Sequence, residues 1–192
     1  MAITVGMVSL GCSKNRVDSE QILGMLKENG FEITNDEAQA EVIIVNTCGF
    51  INPAKEESIG TILEMAQHKK GGNCRLLVVT GCLSQRYPKE LRKELPEVDI
   101  FWGVKDKDGL VRKITEAAGG SYKCCSEDAR IITTPSYSAY LRIADGCDNR
   151  CTYCAIPLIR GGKVSVPMEK LVKEAQSLAD SGVKELTLIA QD

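Results

Sequence analysis

What this chain has little of narrows its chemistry before any motif is considered. It carries one histidine, one tryptophan and three phenylalanines in 192 residues. A zinc site of mixed cysteine and histidine ligands needs more imidazole than that. His68, beside Lys69 and Lys70, reads instead as a solvated residue at a helix end. Hydrolysis by a nucleophile and its base likewise has no constellation to rest on. No apolar run approaches the roughly 20 residues that a membrane span requires. The opening residues, MAITVGMVSLGC, lack the basic start and long apolar stretch of a secretory signal. The formal net charge is −2, so no excess of either sign announces a nucleic-acid or membrane partner. These absences together predict a cytoplasmic protein with no membrane partner.

What is present is an ordinary globular composition, 43% hydrophobic and 26% charged, with an unusual number of cysteines, nine. In a reducing compartment structural disulfides are disfavoured, so metal binding or redox chemistry moves forward. Apolar stretches at Ile3–Leu10, Glu41–Asn46, Leu76–Thr80 and Val98–Trp102 read as strands. Helical patterns lie between them: one starting near Asp18-Ser19-Glu20 and stopped by Gly30, and one capped by Asn52-Pro53 with Ile59, Ile62, Leu63 and Ala66 inward. A helical piece through Leu91 and Leu95 follows, then one over Asp106–Ala118. This alternation predicts an α/β domain with a doubly wound parallel sheet over residues 1–119. Gly-Gly, Cys124-Cys125, Ser and Pro135 mark a linker over 120–136. A second domain over 137–192 starts with a strand at Ala139–Ala144, a helix at Met168–Ser181 with Leu171, Val172, Ala175, Leu178 and Ala179 on one side, and a strand at Lys184–Ala190.

The most specific motif is Gly146-Cys147-Asp148-Asn149-Arg150-Cys151-Thr152-Tyr153-Cys154. Three thiolates so spaced can wrap one face of a cuboidal iron–sulfur cluster and leave one iron open. A closed electron-transfer cluster takes a fourth cysteine, and Ala155-Ile156-Pro157 supplies none. A half zinc site is the bland alternative, but no second Cys-x-x-Cys pair accompanies it. A subtler constellation lies upstream. Cys12, Cys48 and Cys82 each follow an expected parallel strand, and the carboxyl ends of such strands share one edge, where ligands bind. Burial accounts for any one of these cysteines, since free cysteine is a common core residue. It accounts poorly for three in the same place. Cys74, Cys124 and Cys125 fit neither set and read as incidental thiols.

Cys147-x-x-x-Cys151-x-x-Cys154 after a strand resembles the radical S-adenosylmethionine superfamily. That resemblance implies that the open iron takes S-adenosylmethionine and that Tyr153 lies near its adenine, ordinary packing being the alternative role for this ring. Ser9-Leu10-Gly11-Cys12-Ser13-Lys14-Asn15 with Asp18-Ser19-Glu20, Asn46-Thr47-Cys48-Gly49-Phe50-Ile51 and Thr80-Gly81-Cys82 resemble the methylthiotransferase family. This implies that Cys12, Cys48 and Cys82 hold an auxiliary 4Fe–4S cluster, making two such clusters with Cys147, Cys151 and Cys154. Ser13-Lys14, Ala139–Cys147 and Leu188–Asp192 are similar to the branch acting on protein twelve of the small ribosomal subunit. The implied reaction replaces a β-carbon hydrogen of an aspartate by a methylthio group, one S-adenosylmethionine giving the methyl and another the radical, with a reducing electron donor as partner. A sister activity on tRNA and a non-catalytic iron–sulfur protein are the competing readings. Nucleic acid otherwise enters only through the ribosome.

Two departures temper the resemblance. Gly162-Lys163-Val164-Ser165-Val166 is less basic than the family commonly shows after Arg160-Gly161. Residues 137–192 also hold only the first βαβ of a (β/α) barrel, a fold that takes on the order of 200 residues or more. The expectation is therefore of a truncated chain that is inactive alone.

Overall fold

The computed structural model describes residues 2–192 and divides the chain into two compact units, one through Arg130 and one over Ile131–Asp192. In the first unit the elements are β1 (Thr4–Ser9), α1 (Ser13–Glu28), β2 (Glu32–Thr34), β3 (Val42–Thr47), α2 (Asn52–Gly71) and β4 (Leu76–Gly81). They continue with α3 (Cys82–Arg86), α4 (Pro88–Glu94), β5 (Ile100–Phe101) and α5 (Lys107–Ala117). The five strands form one sheet in the order β2-β1-β3-β4-β5, every pair parallel. The doubly wound parallel sheet expected from the sequence is therefore present.

Burial explains why the strands read as apolar runs. All six residues of β3 are buried, because alternate side chains enter different cores. Ile43 and Val45 pack with Ile62 and Met65 of α2 and Leu83 of α3, while Val42 and Ile44 pack with Ile22 and Leu26 of α1 and Leu110 and Ile114 of α5. Helices thus cover both faces of the sheet. Register aligns the carboxyl ends: Ser9 lies opposite Asn46, and Asn46 opposite Thr80.

Several local expectations differ from what is found. Helix α1 begins at Ser13, well before Asp18, and buries Asn15, Asp18, Ser19 and Glu20. These polar residues hide the helix from a periodicity reading, and each is buried with a specific partner. Asn52 does not cap α2; Ile51 occupies the cap position without a side-chain bond, and the Asn52 carboxamide accepts from Lys55 instead. On α2 the inward residues are Ser58, Ile62, Met65 and Ala66, whereas Ile59 and Leu63 are exposed. The piece after Cys82 is two helices broken at Tyr87-Pro88, as a proline at the start of the second requires. Strand β2, too short and polar at its ends to stand out, was not expected at all.

The segment read as a linker also differs. Its first part is fastened to α1: Asn29 exchanges hydrogen bonds with Lys123 at 2.8 and 3.2 Å, and Glu28 accepts from the Ser126 amide at 2.8 Å. The Arg130 guanidinium meets Glu20 at 2.6 Å, with both side chains buried. Gly24 makes the close approach possible, since a Cβ there would collide with the backbone of Ala129 and Arg130. The partners are about a hundred residues apart in sequence, beyond what turn chemistry can reveal.

In the second unit, β6 (Ser138–Arg142), α7 (Met168–Asp180) and β9 (Glu185–Ile189) form a βαβ with β6 and β9 parallel. Between them lie β7 (Ala144–Asp145), α6 (Ile156–Ile159) and β8 (Val164–Ser165), with β7 and β8 antiparallel. The core here is small, Ala139, Leu178 and Val183 with Ile132 and Leu186 against it. Of the five residues expected to face inward on α7, only Leu178 is buried, and Val172 is exposed. A sheet two strands wide offers too little surface to cover the rest.

Candidate functional site

The order 2-1-3-4-5 has a topological switch point between β1 and β3, where the crossovers leave toward different faces and a crevice opens at the strand ends. Cys12 lies just beyond β1, Cys48 directly after β3, and Cys82 directly after β4. The fold therefore brings to one edge three loops that are 36 and 34 residues apart in sequence. Their backbones adjoin. A Cβ on Gly11 would lie 2.8 Å from the Cys48 Cβ and 3.1 Å from its Sγ. One on Gly49 would lie 3.1 Å from the Cys82 carbonyl carbon. Gly11 also has φ of +87° and Gly81 φ of +100°, conformations that glycine alone adopts freely. Glycine beside each cysteine is thus a packing requirement.

Beneath this edge lies a buried polar layer. Asn15 Nδ2 donates to Leu10 O at 3.1 Å and to Thr47 O at 2.9 Å. Ser58 Oγ accepts from the Cys48 amide and donates to the Cys48 carbonyl, at 3.1 and 3.0 Å. Thr47 Oγ1 donates to Thr80 O at 2.5 Å, and Ser84 Oγ to Gly81 O at 3.1 Å. Asp18, nearly buried, meets Lys107 at 3.0 Å. Buried polar groups so satisfied hold a backbone in one arrangement. Asn15, Ser58 and Ser84 carry much of this and were not singled out from the sequence. A polar residue inside an apolar-periodic helix is the signal that could have found Asn15.

The second cysteine set is built differently. Gly146, with φ of +77°, turns the chain out of β7, and a side chain there would collide with the backbone of Gly161 and Gly162. The Cys147 amide donates to Gly161 O at 3.1 Å, and the Cys154 amide to Cys151 O at 3.0 Å. Asp145 accepts from the Gly146 amide at 3.1 Å and from Arg160 Nη1 at 3.3 Å, the Arg160 side chain being almost wholly buried. Asp148 accepts from the Lys163 amide at 3.0 Å, and Gln191 from the Gly146 amide at 3.1 Å. Arg150 is the one described non-glycine residue with positive φ, at 48°, within the tight loop between Cys147 and Cys151. Cys151 is exposed, Cys147 and Cys154 half-buried. Tyr153 is 88% exposed.

All nine cysteines are free thiols. Among the described residues no three His, Cys, Asp or Glu side chains converge as ligands of a single ion. A cuboidal cluster with one open iron asks something looser, one thiolate at each of three separate iron corners. The donor chemistry fits that requirement in both places: three free thiols on adjoining, glycine-spaced loops upstream, and three free thiols within one short loop downstream. Cys74, by contrast, is buried, and burial pushes its thiol up from the ordinary value. Burial likewise raises Cys125, whose sulfur accepts from Asn29 Nδ2 at 3.1 Å. Neither joins a triad.

Residues 4–103 match the uncharacterized protein family UPF0004. The chain belongs to this family. The UPF0004 match takes in Cys12, Cys48 and Cys82 together with the sheet that gathers their loops. Curated relatives extend beyond it. The ribosomal protein uS12 methylthiotransferase RimO of Desulforamulus reducens is 51% identical over 199 aligned residues, covering 98% of this chain and 45% of that protein. The proteins of the same name from Clostridium perfringens (strain SM101) and Clostridium botulinum (strain Hall) are each 54% identical, covering 98% and 99% of this chain and 44% of each relative. The chain thus spans a little under half the length of the curated relatives it matches. In fold it is similar to the radical S-adenosylmethionine methyltransferase TsrM from Kitasatospora setae, with a TM-score of 0.64 at 13% identity, covering 100% of this chain and 48% of that one. It is also similar to the cobalamin-dependent S-adenosylmethionine radical enzyme OxsB, with a TM-score of 0.60 at 12% identity, covering 100% of this chain and 34% of that one. No helix among the described residues is long and apolar enough to cross a membrane.

Proposed function

We propose that this UPF0004 chain supplies both iron–sulfur sites of a radical S-adenosylmethionine methylthiotransferase acting on an aspartate of ribosomal protein uS12. The observation that carries this reading is the 51–54% identity to uS12 methylthiotransferases, over a stretch that includes both cysteine sets. Cys147, Cys151 and Cys154 would hold one 4Fe–4S cluster, and Cys12, Cys48 and Cys82 a second. When bound, these groups with S-adenosylmethionine supply the methyl, the sulfur site and the radical that removes a β-carbon hydrogen. The chain's own residues do the rest. The Asp145–Arg160 pair and the Gly146 turn fix the start of the loop that carries Cys147, Cys151 and Cys154. Tyr153 offers an uncovered ring beside Cys154 for the adenine. The buried polar layer under Gly11, Gly49 and Gly81 keeps the upstream loops from drifting apart. A reducing electron donor is needed, and the reading implies work in the cytoplasm, where the substrate is made.

The test uses the full-length protein, reconstituted anaerobically, reduced, and offered uS12 or tRNA with S-adenosylmethionine. Mass spectrometry is expected to find a methylthio group in place of hydrogen on one uS12 aspartate. Product on tRNA alone, or a cluster spectrum indifferent to S-adenosylmethionine, would overturn the reading.

A further inference from the structure

We propose that Asn15 is a positioning residue that holds the three cysteine loops of the first unit in ligand register. Its side chain is fully buried and touches all three. Nδ2 donates to Leu10 O, two residues before Cys12, and to Thr47 O, the residue before Cys48. In the iron-free chain Oδ1 accepts from the Cys82 thiol at 3.4 Å; that proton leaves when the sulfur ligates as a thiolate, so Asn15 sets the Cys82 loop before metal arrives. Asn15 is itself held: Asn46 Nδ2 donates to its carbonyl at 2.8 Å and to Ser19 Oγ at 2.8 Å, and Ser19 Oγ in turn donates to Ser9 Oγ. The chemistry selects asparagine. One planar amide carries two donor hydrogens and one acceptor, and here each meets a different loop. Aspartate would lose both donations and bury a charge. Leucine, close in shape, would leave the Leu10 and Thr47 carbonyls without that donor, and buried groups so stranded are costly. Glutamine is a methylene too long for a site with no exposed surface. The three cysteines come from three strands, and Asn15 is the side chain that ties their spacing together. It also links that spacing to the first turn of α1, which Cys12 opens.

This inference rests on Cys12, Cys48 and Cys82 being ligands of one cluster, and the test separates the two ideas. In the iron-free full-length protein, timed alkylation with iodoacetamide, read by peptide mass spectrometry, compares Cys82 with buried Cys74. Asn15→Ser, which shortens the side chain and buries no charge beside the sulfur, is expected to raise Cys82 labelling several-fold while Cys74 stays slow. After anaerobic reconstitution, the same variant is expected to keep about half of the roughly eight irons of two cubanes. The cluster that remains should still change its spectrum on adding S-adenosylmethionine. Should Asn15→Ser fail to fold, Asn15→Ala, which likewise buries no charge, gives the same two readouts. Unchanged Cys82 labelling, or a full iron complement with an unaltered electron paramagnetic resonance spectrum, overturns the proposal. If the wild type itself takes only about four irons, the cluster reading fails, and the labelling arm still judges Asn15.

Discussion

The two cysteine sets proposed as cluster sites are arranged by opposite means. Cys147, Cys151 and Cys154 lie within eight residues, in a loop shaped by Gly146, by the positive φ of Arg150 and by short-range backbone bonds. Cys12, Cys48 and Cys82 span 71 residues, and their loops share an edge only because three parallel strands end in register. The first arrangement is stored in covalent spacing, and its ion pairs are partly solvated. The second is stored in the sheet order and in a buried polar layer with little access to water. A local site tolerates changes in distant packing, whereas an assembled one inherits every weakness of the domain that assembles it.

The largest effect expected is on activity. Cys151→Ala should abolish methylthiolation by the full-length protein and remove about four of roughly eight irons, while leaving denaturant unfolding of the first unit unchanged. Cys48→Ala should remove the other half. If either change stripped all the iron, the two sites would not be independent, and the contrast drawn above would fail.

Next in size is Arg130→Met. It removes the guanidinium that meets Glu20, whose side chain is 0% exposed. Breaking one side of a buried pair costs about 3–5 kcal/mol, measurable as a lower urea midpoint. A change within experimental error would show that the strap over α1 contributes nothing. Gly49→Ala comes third. Its Cβ would lie 2.9 Å from the Leu83 amide nitrogen, so the Cys48 and Cys82 loops must part, at roughly 1–3 kcal/mol of overpacking. Iron bound at the upstream site should fall with it, while the S-adenosylmethionine response of the downstream cluster persists.

Two smaller effects sharpen the comparison. Cys74, its thiol raised by burial, holds less thiolate than an ordinary cysteine at any given pH below its own titration. At pH 8 maleimide should therefore label it far more slowly than exposed Cys124, and equal rates would contradict its burial. Lys163→Ala removes the pair with Asp192 at 3.5 Å, both side chains more than a third exposed. Thermal unfolding should move by no more than about 0.5 kcal/mol.

Much of the first unit was legible because its physics is local. Val42–Val45 and Leu77–Val79 are apolar on both faces, and only a sheet covered on both sides rewards that pattern. Helix α1 was placed too late because Asn15, Asp18, Ser19 and Glu20 look like solvated residues until Thr47, Lys107, Ser9 and Arg130 are seen beside them. Helix α7 was assigned an inward face from its spacing, yet a two-stranded sheet covers only Leu178.

By itself the sequence determined the Cys147–Cys154 loop, the glycines that let backbones approach, and the alternation that makes a parallel sheet. These depend on neighbours within a few residues, whose geometry the covalent chain restricts directly. Only the tertiary structure decided that β1 lies between β2 and β3, that the Cys12, Cys48 and Cys82 loops therefore share an edge, and that one buried amide touches all three. Strand order and long-range hydrogen bonds depend on partners tens of residues away, and spacing along the chain carries no record of which distant groups will satisfy one another.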